Sequence, residues 1–216
     1  MDDRAVLNWY LTQRADDLVK KLNKRGFNAQ YAATAAEAKE KVLALIPQGS
    51  SVILTGSQTL EQIGVKPHLR ESGLYRLINP YEAGISREEG LSRRKRGLTA
   101  EVMVSSTNAV TEEGMLVNVD AYGNRVAGMI FGPDKVVLAI GMNKVVKNLD
   151  QAWERLRSVA RPMNAKRLEL PTPCAKTGFC EDCSTPSRIC NYFTIIERCS
   201  PPGRIQVVLV GEVLGY

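Results

Sequence analysis

The sequence predicts an α/β protein with a mostly parallel sheet flanked by helices, and three observations support this. Apolar β-type runs alternate with amphipathic helical runs along the chain. Two of the strands, at 135–141 (KVVLAIG) and 204–210 (RIQVVLV), are apolar almost throughout, as strands buried on both faces must be. The length of 216 residues, 44% of them hydrophobic, suits one medium domain with a sizeable core.

The elements follow in order. Residues 2–25 place Val6, Leu7, Tyr10, Leu11, Leu18, Val19 and Leu22 at helical spacing and stop at Gly26. A short strand is expected at 27–31. The capping box Thr34-x-x-Glu37 starts a helix through Ala38, Val42, Leu43 and Ile46 that Pro47 stops. Residues 51–55 form a brief apolar strand, which Gly56-Ser57-Gln58-Thr59 turns into another helix. A strand at 76–78 precedes a helix that runs from the capping box Ser86-x-x-Glu89 through the basic run Arg93-Arg94-Lys95-Arg96. Beyond Glu101, Val102-Met103-Val104, Ala109-Val110 and Met115-Leu116-Val117 are short β-type runs separated by Asn, Thr and Gly. Residues 124–131 read as a helix closed by Gly132-Pro133-Asp134, and 148–160 as an amphipathic helix. The expectation is a single domain over residues 1–216, with 171–203 as a cysteine-rich excursion before the last strand.

Composition excludes several classes. Charged residues at 24%, 17 glycines and 10 prolines give no sign of disorder or low complexity. No apolar run approaches the roughly 18 residues of a membrane span. The acidic start MDDRAVLNWY lacks the apolar core of a secretion signal, so a cytoplasmic protein is expected. The run Arg93–Arg96 supplies four charges of a net +6. It reads as a solvated helix face, and no basic stripe with interleaved aromatics points to nucleic acid.

Three stretches could carry chemistry. The only histidine is His68, which disfavours a two-histidine metal site and a Ser-His-Asp or Cys-His mechanism and leaves acid–base work to carboxylates. The turn Gly56, Ser57, Gln58 and Thr59 joins a buried strand to a helix and could hold a phosphate or carboxylate; capping by Ser57 or Thr59 is the plainer alternative. Between 105 and 125 the polar residues Asn108, Thr111, Glu112, Asn118, Asp120, Asn124 and Arg125 are interleaved with apolar strand positions and, with Gly114, form a candidate ligand site; turn chemistry at Glu113-Gly114 and Tyr122-Gly123 is the plainer alternative. So many polar groups must bond one another or a ligand if buried. The third stretch is Cys174-x5-Cys180-x2-Cys183-x6-Cys190, which in a reducing compartment suggests metal rather than disulfides. A tetrathiolate zinc site and a [4Fe–4S] cluster both fit, with reduced structural thiols as the alternative. Cys199 is expected to be free.

In this order the stretches resemble the LUD domain family, the lactate-utilisation proteins of the LutC/YkgG type. The resemblance is carried by residues 54–64 (LTGSQTLEQIG), 98–102 (LTAEV), 108–118 (NAVTEEGMLVN), 123–127 (GNRVA), 132–137 (GPDKVV), 141–146 (GMNKVV) and the closing 213–216 (VLGY). The cysteine segment, with 172–178 (TPCAKTG) and 187–191 (SRICN), resembles one branch of that family. Glu101 and Glu113 stand where aspartate is expected. The resemblance implies a fold similar to the NagB/RpiA/CoA-transferase group, with the ligand at the strand ends, and a part in lactate or other hydroxy-acid oxidation. It further implies Glu112 as the acid or base, a small anionic substrate, a [4Fe–4S] cluster in preference to zinc, and other iron–sulfur redox subunits as partners. Two rivals remain open at this point: a sugar-phosphate isomerase or CoA-transferase-like enzyme with structural zinc, and a non-catalytic metal-binding partner protein.

Overall fold

Six parallel strands form the centre of the computed structural model, which describes residues 2–216. They are β1 (Asn28–Ala32), β2 (Ser51–Leu54), β3 (Arg76–Ile78), β4 (Val102–Ser105), β7 (Lys135–Gly141) and β10 (Ile205–Val210). Their order across the sheet is β1-β10-β7-β4-β2-β3. Side chains alternate along each strand, so the uniformly apolar runs serve two cores at once. On one face Val136, Leu138, Ile140, Val207, Leu209 and Met103 pack with Ala15, Leu18 and Leu22 of helix α1 (Asp3–Lys24). On the other face Val137, Ala139, Val208, Val210, Val102 and Val104 meet α2 (Ala35–Ala44), α3 (Gln58–Gln62) and α4 (Val65–Glu71).

The caps follow the sequence signals. Thr34 accepts from the Glu37 N–H to start α2, and Ser86 accepts from the Glu89 N–H to start α5 (Arg87–Arg96). The expected return bond from Glu37 goes to the Ala33 N–H instead of that of Thr34. Glu101 binds both the N–H and the hydroxyl of Ser51 and pairs with Arg76, which ties the starts of β2, β3 and β4 together.

The second sheet is a departure from the expected single sheet. β5 (Ala109–Thr111), β6 (Leu116–Asp120), β8 (Val145–Val146) and β9 (Tyr192–Ile196) lie in the order β8-β5-β6-β9, with β6 antiparallel to both neighbours. The chain leaves the first sheet after β4 and again after β7, and both crossings reach β5 and β8 through a tight turn. Residues 171–203 are correspondingly not a free excursion. They contain α9 (Pro173–Thr177) and β9, which pairs with β6 from Tyr192↔Asp120 to Ile196↔Leu116. β9 is an edge strand with four of its five residues outside the core, so it lacks the burial signature of the other strands.

The helix expected over 148–160 also runs further. α7 (Leu149–Arg155) passes through a π-type turn at Leu156–Ala160 into α8 (Arg161–Arg167). Pro162 falls in the first turn of α8, and the wider π turn accommodates its missing N–H and its ring. α6 (Asn124–Ile130) begins after Gly123, whose φ of +80° suits glycine. No helix among the described residues is long and apolar enough to cross a membrane.

Gly97, at the end of α5, shows how closely that helix approaches the sheet. A Cβ there would fall 2.5 Å from the side chain of Ile53. Gly97→Ala is therefore expected to cost about 1–3 kcal/mol, read as a lower urea midpoint at unchanged slope.

Candidate anion-binding cleft

A cleft of about 320 Å³ opens at the carboxyl ends of β2, β4 and β7, where open parallel sheets gather ligands. Its lining includes Gly56, Ser57 and Gln58 after β2, Ser105 to Asn108 after β4, and Lys144 after β7. Asp120, Asn124 and Arg125 form one wall, Tyr81 and Arg94 another, and Asn164, Arg167 and Tyr216 a third. The charge is one-sided: Arg94, Arg125, Lys144 and Arg167 against the single carboxylate of Asp120.

That carboxylate is committed. Asp120 accepts from Nε and the backbone N–H of Arg125 at 2.8 and 3.0 Å. Nη1 of Arg125 donates to Asn118 Oδ1 and the Ser106 carbonyl; Nη2 donates to Asn108 Oδ1 and the Val119 carbonyl. All five guanidinium N–H groups are thereby used. Much of the polar density between 105 and 125 resolves into a knot of side chains centred on Arg125. Arg125 clamps the wall with every donor used, whereas Asn118 accepts through Oδ1 and its buried Nδ2 has no partner among the described residues.

Arg94 is placed differently. Its guanidinium stands 5.4 Å from the Tyr81 ring and 5.7 Å from the Tyr122 ring, without a carboxylate partner among the described residues. The basic run is thus only partly the solvated face expected, since Arg93 pairs with Glu82 and Glu89 and Arg94 turns into the cleft.

Lys144 lies at the floor, in the short turn that carries the chain from β7 into β8. It is 2% exposed, and its Nζ donates to Thr59 Oγ1 at 2.9 Å and Ser106 Oγ at 3.0 Å. Burial, reinforced by the neighbouring Arg155 and Arg125 charges, lowers its pKa to about 7. Arg155 is itself spent on the Asn143 and Asn108 carbonyls. The Gly56–Thr59 turn is a cap as well as a wall: Ser57 accepts from the Leu60 N–H, while Thr59 is buried and holds Lys144.

Glu112 is not in the cleft. It sits in the β5–β6 turn beyond Thr111, half exposed, and pairs with Arg14 of α1. Thr111 accepts from the Met115 N–H and Gly114 takes a φ of +84° in the same turn, so all three serve the hairpin. The strand direction explains this, because β5 carries its first residues past the cleft and its last away from it. A catalytic role for Glu112 does not follow from this position. Glu112→Gln is expected to leave cleft binding unchanged and to cost less than about 1 kcal/mol, as exposed ion pairs do. Calorimetric titration and a denaturant curve check both parts.

The cysteine segment packs beside the cleft. Ile189 lines it, and the Asn191 N–H donates to the Asp120 carbonyl at 2.9 Å. Arg188 folds across the segment, bonded to the Cys183 and Cys190 carbonyls and paired with Asp182. Among the described residues no three Cys, His, Asp or Glu side chains are close enough together to hold a metal ion. The thiols do share one electrostatic neighbourhood. Burial raises the Cys190 thiol, Arg188 and Arg161 oppose this, and Cys180 and Cys183 add to the rise. At Cys180 burial is outweighed by the Asp182 backbone N–H and the Arg161 guanidinium, which hold the thiol low.

Arg161 supplies the test of fit. It is 3% exposed, stacks 4.5 Å from the Phe193 ring and 5.3 Å from that of Trp153, and donates to Cys180 Sγ at 3.3 Å. Its Nε has no partner among the described residues. A buried guanidinium beside thiols calls for negative charge, and thiolates, free or metal-bound, provide it. The donor set fits a metal centre in its chemistry. Cys199 lies apart, buried, bonded to the Pro201 carbonyl and the Ile205 N–H.

A family model described as the LUD domain matches residues 15–210. The chain belongs to the LUD domain family. Among solved structures, this LUD-domain chain is similar to a DUF162 family protein from Deinococcus radiodurans at a TM-score of 0.51 and 14% identity. The match covers 94% of this chain and 98% of that one. At that identity the likeness is one of fold. No curated protein matches the chain.

Within this LUD domain, Lys144, Arg94, Tyr81, Arg167 and Tyr216 were missed as site residues. Lys144 carried a readable signal: a lysine three residues after an all-apolar strand, at its carboxyl end. Arg167 and Tyr216 carried none, since long-range packing alone brings them to the cleft.

Proposed function

We propose that this LUD-domain chain binds a small hydroxy acid or 2-oxo acid in the cleft and serves lactate-type hydroxy-acid oxidation, working with other iron–sulfur redox subunits. The observation that carries the reading is the charge of the cleft: its one acidic side chain, Asp120, is held by Arg125, which leaves Arg94 and Arg167 without a side-chain carboxylate among the described residues to balance them. Arg94, fixed between two tyrosine rings, is the carboxylate anchor, with Arg167 on the opposite wall. Lys144 takes the acid–base role first expected of Glu112, because it lines the cleft and its pKa of about 7 lets it gain or lose a proton near neutrality.

Cys174, Cys180, Cys183 and Cys190 would hold an iron–sulfur centre, with Arg161 beside it as a counter-charge. Such a centre supplies one-electron transfer when bound.

Calorimetric titration with L-lactate, pyruvate and inorganic phosphate tests the cleft. Binding of at least one, weakened about tenfold or more in Arg94→Gln, is the expected result. Failure of all three to bind would remove the anion reading. Protein purified without oxygen tests the metal: iron and visible absorbance are expected, and both should disappear when Cys180, Cys183 and Cys190 are replaced by serine. One zinc and no iron would move the assignment to a structural staple.

A further inference from the structure

We propose that Lys144 is a covalent catalytic residue that forms an imine with the carbonyl carbon of a 2-oxo acid bound in the cleft. The proposal rests on the cleft being the acid-binding site and adds the chemistry done there.

Lys144 is the only primary amine among the residues that line the cleft. It has no carboxylate partner among the described residues, and the charged groups nearest it, Arg155 from α7 and Arg125 from α6, are both cations. A lysine used as a permanent charge is normally solvated or paired. One buried among cations favours its neutral form, and the neutral amine is the nucleophile.

Hydrogen bonding points the same way. The Thr59 hydroxyl has the Leu214 carbonyl as a further acceptor at 3.4 Å, and the Ser106 hydroxyl has that of Thr107 at 3.4 Å. Each hydroxyl proton can go there, leaving an oxygen lone pair for an N–H of Lys144. A neutral amine has two N–H groups and one lone pair, so two acceptors use both donors and leave the lone pair uncommitted. Gly215, at φ +58°, keeps space open beside it, since a Cβ there would lie 3.2 Å from Nζ.

The step balances without a redox partner. The Nζ lone pair attacks the carbonyl carbon, a C–N bond forms, and the carbonyl oxygen becomes a hydroxyl. That hydroxyl leaves as water, taking two of the three protons of the original ammonium group. Ammonium plus ketone becomes iminium plus water, with the acid's carboxylate held by the cationic lining. The iminium then withdraws electrons from the neighbouring carbons, a use of buried lysine that a mere anion anchor would not have.

The test uses the full chain, pyruvate and sodium borohydride, followed by peptide mapping by mass spectrometry. The expected result is one reduced pyruvate adduct on the peptide containing Lys144, in clear excess over every other lysine, absent when L-lactate or phosphate replaces pyruvate and lost in Lys144→Met. Adduct formation on the wild-type chain should increase as pH rises through about 7. Pyruvate that binds by calorimetry but leaves no adduct, or adducts spread evenly over surface lysines, overturns the imine and leaves the anion cleft standing. If pyruvate, lactate and phosphate all fail to bind, the cleft reading falls and the imine with it. Mapping on the wild-type chain gives the answer even if Lys144→Met does not fold.

Discussion

Replacing Arg125 with methionine is expected to destabilise the domain by about 3–5 kcal/mol, among the largest single effects available in it. The substitution keeps much of the side-chain volume and removes all five donors. It leaves the Asp120 carboxylate, 8% exposed, without its guanidinium, and strips partners from Asn108, Asn118 and two backbone carbonyls. Most of that cost is the stranded carboxylate, so adding Asp120→Asn should recover part of it. A thermodynamic cycle over the two positions, measured by urea unfolding, gives the coupling directly. Near-additive losses would show that the knot is not the unit described.

The second large effect has the opposite sign. Lys144→Met is expected to abolish any chemistry in the cleft and yet stabilise the fold at pH 7. The folded-state pKa of Lys144 is about 7, well below the value of about 10.4 in an unfolded chain. Between those two values the unfolded state binds the extra proton, so wild-type stability rises with pH across that window. Below about pH 7 the wild type carries the whole penalty of a buried ammonium, on the order of 4 kcal/mol. The variant has no such slope. Its advantage should be largest at neutral and lower pH and shrink towards pH 10, and paired denaturant titrations at pH 6, 8 and 10 would read it. An advantage that did not change with pH would mean that Lys144 has the same pKa folded and unfolded, and so keeps an ordinary ammonium charge in the folded state at neutral pH.

The parallel sheet was legible because β7 and β10 must feed two cores at once, and only continuous apolar runs do so. Helix starts were legible where Thr34 and Ser86 cap locally. The second sheet was not. Its three-residue strand β5 and two-residue β8 are too short to show a period, and the exposed edge strand β9 lies in a stretch dominated by its cysteines. The polar residues of 105–125 form a group in the sequence, yet their chemistry divides. Asn108, Asp120, Asn124 and Arg125 reach the cleft, Asn118 supports them from behind, and Thr111, Glu112 and Gly114 are carried away by the hairpin. Strand polarity decides which end of a segment meets the ligand, and spacing alone does not contain it.

The strand order has a consequence for how the chain comes to be folded. β10 lies between β1 and β7 and is the last strand made, and the Asn28 side chain bonds Gln206, 178 residues later. Until β10 is present, β1 has no neighbour, β7 has a bare flank, and Leu18 and Leu22 of α1 lack half of the surface they pack on. On a ribosome the first thirty-odd residues must therefore wait for almost the entire chain before they can dock. Folding with such distant pairings is slow, and the waiting segment exposes apolar surface throughout. A chain cut before Ile205 should accordingly lose cooperative unfolding altogether, rather than a single strand's share of it.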